Sequence, residues 1–184
     1  MAKALLIVDY NNDFVADQGV LTSGAAGQAA DPLIRDLISQ TLAAGDYVFV
    51  CNDEHDPADT FHPENSLFPA HSQKGAWGAE LYGQTGQLCR KLLAEGHPRV
   101  CYLPKYRFSA FRDTPLETML RARNIDSLAL AGVCTDICVL HTAIDAAYAG
   151  FAVTVHQAAC ATPIPLGQEW ALNHLQAALG ATLV

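Results

Sequence analysis

The stretch that decides the fold is SLALAGVCTDICVLHTAIDAAYAGFAVTVH, residues 127–156, which predicts a strand, a helix and a second strand. Ser127–Ala131 and Ala152–His156 are short apolar runs, and Asp136–Ala149 between them is an amphipathic run that Gly150 ends. Short apolar strands joined by a longer amphipathic helix are typical of a parallel β-sheet covered by helices.

The same alternation continues over the rest of the chain. Further strands are predicted at Ala4–Val8, Tyr47–Cys51 and Arg99–Leu103, with a short apolar end at Thr182–Val184. Further helices are predicted at Asp31–Ala44, Ala79–Glu95, Pro115–Arg123 and Leu166–Leu179. Residues 57–78 lack a clear period, and so long an irregular loop is usually functional. We expect one α/β domain over residues 1–184, a three-layer α-β-α, Rossmann-like fold with a central parallel sheet.

Composition and charge restrict the class of protein. Of the 184 residues, 51% are hydrophobic and 16% are charged, against roughly 25% charged in a typical soluble domain. The net charge of −8 disfavours nucleic acid and anionic membranes as partners. The first apolar run ends at Asp9, too early for an export signal or a membrane span. We therefore expect a cytoplasmic protein with free cysteines; a homo-oligomer stays open, because an apolar-rich chain can contain a subunit interface.

Polar side chains follow four of the predicted strands. Asp9 follows the first strand, Asp53 and His55 the second, Lys105 the third, and residues 134–138 the fourth. Open α/β sheets bind ligands at the carboxyl ends of their strands. The fold should therefore bring these groups to one edge of the sheet.

Cys138 is the candidate nucleophile, because it lies in the first turn of the predicted helix. The helix dipole favours a thiolate there, and unpaired N–H groups can hold an oxyanion. Asp9 would accept the thiol proton and later release it, and Lys105 would lower the thiol pKa. The alternatives are a packed cysteine or a Cys134–Cys138 redox pair, a capping aspartate and a solvated lysine.

Asp53 and His55 form a candidate metal site, because residues two apart in an extended segment face the same side. His62, Glu64 and His71 in the long loop could complete the coordination sphere. Such ligands suit zinc, manganese or iron(II). The alternative is a set of scattered surface histidines.

Four aromatic residues lie near these motifs and could form the walls of a flat apolar pocket. They are Phe14, Phe68, Trp77 and Tyr106. The alternative for each is an ordinary core position.

Taken together, the motifs resemble the nicotinamidase branch of the isochorismatase-like cysteine hydrolases. The matching segments are residues 5–14 (LLIVDYNNDF), 52–55 (NDEH), 68–71 (FPAH), 75–80 (GAWGAE), 105–111 (KYRFSAF) and 132–138 (GVCTDIC). The cysteine segment and the lysine are shared across the superfamily. The metal-ligand motif with the downstream FPAH and GAWGAE segments is more specific to nicotinamidases.

The resemblance implies roles for particular residues. It implies a catalytic triad of Asp9, Lys105 and Cys138, and an oxyanion hole from the backbone N–H groups of Cys134 and Cys138. A cis peptide bond before Cys134 is frequent in the family.

The resemblance also implies a ligand set and a pocket. The metal ligands would be Asp53, His55 and His71, with Glu64 as the fourth and His62 as its rival. The substrate pocket would be formed by Phe14, Leu21, Phe68 and Tyr106.

The implied reaction is hydrolysis of nicotinamide to nicotinate and ammonia in NAD salvage, with one divalent metal ion, zinc before manganese or iron. Pyrazinamide is a further candidate substrate. Alternatives are an amidase of the same superfamily for carbamoyl or ureido substrates, an isochorismatase acting on a vinyl ether, and a thiol redox or metal-storage module.

Overall fold

The computed structural model of the protein describes residues 2–184 and contains a six-stranded parallel β-sheet. The strands are β1 (Ala2–Val8), β2 (Tyr47–Asp53), β3 (Val100–Lys105), β4 (Ile125–Val133), β5 (Ala152–Ala161) and β6 (Thr182–Leu183). The helices are α1 (Asn12–Val15), α2 (Gly24–Ala29), α3 (Asp31–Ala43), α4 (Gly83–Ala94), α5 (Leu116–Arg121), α6 (Leu140–Tyr148) and α7 (Pro165–Leu179). The predicted α/β fold class is confirmed.

The sheet is buried on both faces, which makes the fold three-layered. In β1, Leu6 and Val8 pack into one hydrophobic core and Leu5 and Ile7 into the other. Apolar residues of α5, α6 and α7 cover the first face, and those of α3 and α4 cover the second. Alternation of this kind explains why β1 is a continuous apolar run rather than a half-polar one.

The order of the strands places a crevice beside β1. The sheet runs β3-β2-β1-β4-β5-β6, so the direction of winding reverses between β1 and β4. Such a reversal leaves a cleft at the carboxyl ends of the strands. Asp9 follows β1 and Cys134 follows β4, and both therefore lie at this cleft.

The end of β4 passes unusually close to β1. Gly132 has φ +128°, and a Cβ atom built on it would lie 2.0 Å from the Val8 carbonyl oxygen. That contact is with backbone, which cannot rotate away, so glycine is required where the strand approaches the cleft.

We expect Gly132→Ala to destabilise the protein by about 3 kcal/mol, because the added methyl group must push two central strands apart. The matched control is Gly150→Ala, where φ is +81° but a Cβ atom would have nothing within 4 Å. That control isolates backbone strain, which costs about 1 kcal/mol. Urea unfolding of both variants measures the difference, and equal losses would show that the close approach to Val8 carries no cost.

Some predicted helix boundaries are wrong because contacts with residues distant in the sequence set them. The helix predicted at residues 79–95 begins only at Gly83, and residues 77–79 form a separate 3₁₀ turn. The side chain of Asp31, at the start of α3, accepts hydrogen bonds from the N–H groups of Gln84 and Thr85, at 2.8 and 2.9 Å. The start of α4 is therefore set by a residue that lies about fifty positions earlier.

Other differences lie close to the cleft. The helix predicted from Asp136 starts as a π-helical turn, Thr135–Val139, and becomes α-helical at Leu140. β5 continues beyond His156 to Ala161, because an irregularity in its pairing with β4 lets the ladder resume at Cys160. The short helices α1 and α2 were not predicted.

All six cysteines are free, as predicted. Within residues 2–184, none of the helices is both long and apolar enough to cross a membrane.

Candidate active site

The structure brings Asp9, Lys105 and Cys138 together at the cleft. Lys105 is the last residue of β3, and its side chain is fully buried. Its Nζ lies 2.7 Å from Asp9 Oδ2 and 3.3 Å from Asp53 Oδ1. It also donates to the Arg107 carbonyl oxygen at 2.9 Å. Lys105 is therefore not the solvated lysine of the alternative interpretation.

Asp9 has the character of a base rather than of a capping residue. Its Oδ1 accepts a hydrogen bond from the Asp53 N–H at 2.8 Å, and its Oδ2 lies 2.7 Å from the Lys105 ammonium nitrogen. Complete burial raises the pKa of Asp9; Lys105 lowers it, Asp53 raises it, and the result is about 7. A pKa near neutrality suits a group that accepts and returns a proton.

The same burial acts on Cys138 and Lys105. Burial holds the pKa of the Cys138 thiol well above its usual range, although Lys105 lowers it. The structure therefore disfavours the thiolate expected at the helix start, because desolvation outweighs the effect of the cation, and Asp9 and Asp53 add to it. Burial opposes the ammonium form of Lys105, but Asp53 and Asp9 outweigh it and hold the lysine pKa well above its usual range.

Cys138 is held by the π-helical turn that follows β4. The peptide bond between Val133 and Cys134 is cis, as the family resemblance implies. The Cys134 carbonyl oxygen accepts from the N–H groups of Ile137 and Val139, both at 3.1 Å. The N–H of Cys134 makes no hydrogen bond within residues 2–184. A free donor and the first turn of a helix lie together beside the thiol.

Four side chains converge on a second point of the cleft. Asp53, His55, Glu64 and His71 are all buried, and each offers a ligand atom within 4.8 Å of the other three. Asp53 Oδ2 lies 2.5 Å from His55 Nε2 and 3.5 Å from His71 Nε2, and Glu64 Oε2 lies 3.6 Å from His71 Nε2. The alternative of scattered surface histidines is thus excluded for these residues.

His62 does not belong to this ligand set. Its Nε2 lies 2.7 Å from the Tyr106 carbonyl oxygen, and its Nδ1 accepts from the Glu64 N–H at 3.3 Å. Both ring nitrogens are therefore occupied by backbone groups, and Glu64 is the fourth candidate ligand.

The donor set fits a divalent metal ion. Two imidazoles and two carboxylates suit ions such as zinc, manganese and iron(II). His71 Nδ1 lies 2.8 Å from the Pro69 carbonyl oxygen, which orients Nε2 towards the cluster as in many metal sites. Burial alone would lower the pKa of His71, but hydrogen bonds to Asp53 and Glu64 outweigh it and raise that pKa to about 10. The cluster thus attracts positive charge.

A cavity of about 170 Å³ joins the two groups. Asp53, Glu64 and His71 contribute to one part of its lining, and Cys134 and Cys138 contribute to another. The rest is apolar and consists of Phe14, Leu21, Phe68, Phe108, Ile137, Pro163 and Ile164. Small-molecule sites commonly combine an apolar lining with a few polar groups.

Of the residues expected to form the pocket, Phe14, Leu21 and Phe68 line the cavity and Tyr106 does not. Tyr106 directly follows β3, and its side chain is 42% exposed and borders a different hollow. Phe108 lines the cavity instead, with its ring 6.4 Å from that of Phe68. Trp77 is 48% exposed and also lies outside the cavity. The two aromatic residues within 106–108 indicate that one ring could line a pocket here. The sequence does not show which of the two rings faces the cavity.

The pattern of the isochorismatase domain matches residues 3–184. The chain belongs to the isochorismatase family. A Bacillus subtilis member, called uncharacterized isochorismatase family protein PncA, is 48% identical over 181 residues, 98% of each chain. The crystal structure of nicotinamidase/pyrazinamidase PncA from Bacillus subtilis superposes with a TM-score of 0.96, at 46% identity and full coverage of both chains.

A more distant relative carries another activity in its name. Ureidoacrylate amidohydrolase RutB from Cronobacter turicensis is 28% identical over 205 residues, which cover 97% of this chain and 83% of the relative. These matches confirm the predicted family and fold of the chain.

Proposed function

We propose that the protein hydrolyses nicotinamide to nicotinate and ammonia, and that it does so in the cytoplasm as a step of NAD salvage. The observation that carries this proposal is that one apolar cavity is bordered both by Cys138 and by Asp53, Glu64 and His71 of the ligand cluster. A flat pyridine ring fits between aromatic side chains, and its carboxamide would then face the thiol. The similarity to the Bacillus subtilis nicotinamidase/pyrazinamidase supports the same substrate, and pyrazinamide as a second one.

Cys138, Asp9 and Lys105 are the proposed catalytic residues. Asp9 accepts the proton of the Cys138 thiol, and the sulfur attacks the amide carbon. The backbone N–H groups of Cys134 and Cys138 donate to the oxyanion. Asp9 then gives its proton to the departing ammonia, which leaves a thioester on Cys138. Water, deprotonated by Asp9, then attacks the thioester. The C–S bond breaks, nicotinate is released, and Asp9 returns the proton to the Cys138 sulfur.

Lys105 neutralises the negative charges that arise during these reaction steps. It lies between Asp9 and Asp53, so two carboxylates can stay close together in a buried site. When Asp9 is protonated, Lys105 also faces the negative charge that develops on the Cys138 sulfur. It is therefore a catalytic group that neutralises charge and does not itself transfer a proton.

Asp53, His55, Glu64 and His71 are the proposed ligands of one divalent metal ion, with zinc before manganese or iron(II). Such an ion, when bound, supplies an electrophilic partner for the pyridine nitrogen. The ring would then be oriented with its amide towards Cys138, which converts binding energy into positioning.

The lining of the cavity disfavours those ureido and carbamoyl substrates that carry a carboxylate group. No lysine or arginine lines the cavity within residues 2–184, and Lys105 behind it already pairs with two carboxylates. A substrate carboxylate would lie beside Asp53 and Glu64 with no lysine or arginine to pair with, and it would compete with these carboxylates for the proposed metal ion. Neutral aromatic amides avoid both effects.

Ammonia release from nicotinamide by the purified protein tests the proposal. We expect release that falls after metal stripping and returns with zinc, manganese or iron(II), and no release from ureidoacrylate. If ammonia release does not depend on the metal, Cys138 remains the proposed nucleophile, but Asp53, His55 and His71 do not hold a metal ion that the reaction needs. Release from ureidoacrylate alone, by fully metallated protein, would overturn the assigned substrate.

A further inference from the structure

Three buried polar side chains form a bridge beneath the site that the proposed reaction does not use. Asn11, Asn52 and Ser72, here called the amide bridge, are fully buried. Asn11 Nδ2 donates to Asn52 Oδ1 at 3.1 Å and to Ser72 Oγ at 3.0 Å. Asn11 Oδ1 accepts from the Phe14 N–H at 3.2 Å. Both amide hydrogens and the amide oxygen of Asn11 are therefore engaged.

Each end of the bridge adjoins a residue of the proposed site. Asn11 lies two positions after Asp9, and its N–H donates to the Asp9 carbonyl oxygen at 2.9 Å. Asn52 directly precedes Asp53 and is fixed in turn by donation to the Ala79 carbonyl oxygen at 2.9 Å. The bond between the two asparagines thus links the segment of the proposed base to that of a proposed metal ligand.

Ser72 connects the bridge to the histidines. It directly follows His71, and its carbonyl oxygen accepts from the His55 N–H at 2.9 Å. Its own N–H donates to Asp13 Oδ2 at 2.7 Å. Ser72 has φ +43°, which is unfavourable for a residue with a side chain. Bonds at its N–H, its carbonyl and its hydroxyl hold it in that conformation.

We propose that Asn11 is a positioning residue. Its side chain fixes the segment that carries Asp9 relative to the segments that carry the proposed metal ligands. The kinetic part of this inference rests on the proposed function, and the metal-binding part does not. An asparagine is required because the site needs two N–H donors and one acceptor on one short side chain. Aspartate has the same shape but offers no donor to Asn52 and Ser72.

The test compares two bridge variants with a neighbour that lies outside the bridge. Asn11→Asp removes both donors, and Ser72→Ala removes one acceptor with the smallest change in volume. The control is Asn12→Ala, since Asn12 Nδ2 donates to the Trp77 carbonyl oxygen, at 2.9 Å, and not to a residue of the bridge. Zinc affinity is measured by competition with a chromophoric chelator, and kcat is measured at saturating zinc and nicotinamide.

We expect Asn11→Asp to weaken zinc binding by about 10- to 100-fold, as for other groups that orient metal ligands. Its kcat should fall even at saturating zinc, because Asp9 is displaced as well. Ser72→Ala should weaken zinc binding by about fivefold, and Asn12→Ala should leave affinity and kcat unchanged.

Two results distinguish this inference from its rivals. If the bridge variants lose thermal stability but keep wild-type zinc affinity and kcat, the bridge is only structural and the positioning role is wrong. If zinc binding weakens as expected while the wild-type protein releases no ammonia from nicotinamide, the positioning of the ligands stands and the proposed function fails.

Discussion

Cys138→Ala should abolish ammonia release from nicotinamide, with kcat lowered by at least about 10⁴-fold, because it removes the sulfur that attacks the amide carbon. The cavity otherwise presents the ligand cluster, the Cys134 side chain and apolar groups. Metal content should stay at the wild-type level, since Cys138 is not among the four clustered ligands. Coupled-enzyme ammonia detection and elemental analysis of the same preparation measure both quantities.

Two other cysteines provide the controls for that loss. Cys89 is buried in α4, in a different part of the core, so Cys89→Ala tests removal of a buried thiol at a distance. Cys134→Ala removes a cavity side chain but keeps the N–H proposed for the oxyanion hole, and we expect it to retain most of the activity. Near-normal turnover by Cys138→Ala would show that the nucleophile is misassigned. Equal losses in the Cys134 and Cys138 variants would show that the reaction needs the Cys134 side chain as well as its N–H.

The candidate site could be predicted from the sequence because its residues follow directly after apolar strands. A carboxylate such as Asp9 at the end of a fully buried strand needs a partner or a function. Parallel topology then brings the strand ends to one edge of the sheet, although Asp9, Asp53 and Lys105 are far apart along the chain. In the structure Asp53 and Lys105 are register partners of β2 and β3.

What the sequence does not show is set by contacts between distant segments. The start of α4 depends on Asp31, and no pattern within residues 79–95 contains that information. The choice of Phe108 over Tyr106 depends on how the chain turns after β3, where strand periodicity no longer applies. The choice of Glu64 over His62 depends on which ring nitrogens the backbone already occupies.

The amide bridge was missed for a related reason. Asn11, Asn52 and Ser72 are of residue types that are common at protein surfaces, and each lies within two positions of a more conspicuous residue. Only their complete burial and mutual hydrogen bonds distinguish them. A useful signal in the sequence is a polar residue directly before or after a predicted ligand, since oriented ligands need such support.

Lys105→Met should impair both stability and catalysis, because it leaves two buried carboxylates without their cation. Asp9 Oδ2 and Asp53 Oδ1 lie 2.7 and 3.3 Å from the ammonium nitrogen. Removing one partner of a buried ion pair typically costs about 3 kcal/mol or more of unfolding free energy. The pKa of Asp9, which Lys105 lowers and Asp53 raises, should rise further. Asp9 would then be protonated at neutral pH and unable to accept the thiol proton, so kcat should fall by about 10³-fold.

Lys91→Met is the matched control, since it removes the same charge from the surface. The Lys91 side chain is 69% exposed, and among residues 2–184 its one ion pair is the 3.9 Å contact with Glu95. A change below about 0.5 kcal/mol is expected there. Urea unfolding in the presence of a chelator compares the two variants without a contribution from bound metal, and ammonia release compares their turnover. An unfolding midpoint and a kcat for Lys105→Met that match those of Lys91→Met would mean that the buried ammonium neither stabilises the carboxylate pair nor tunes Asp9.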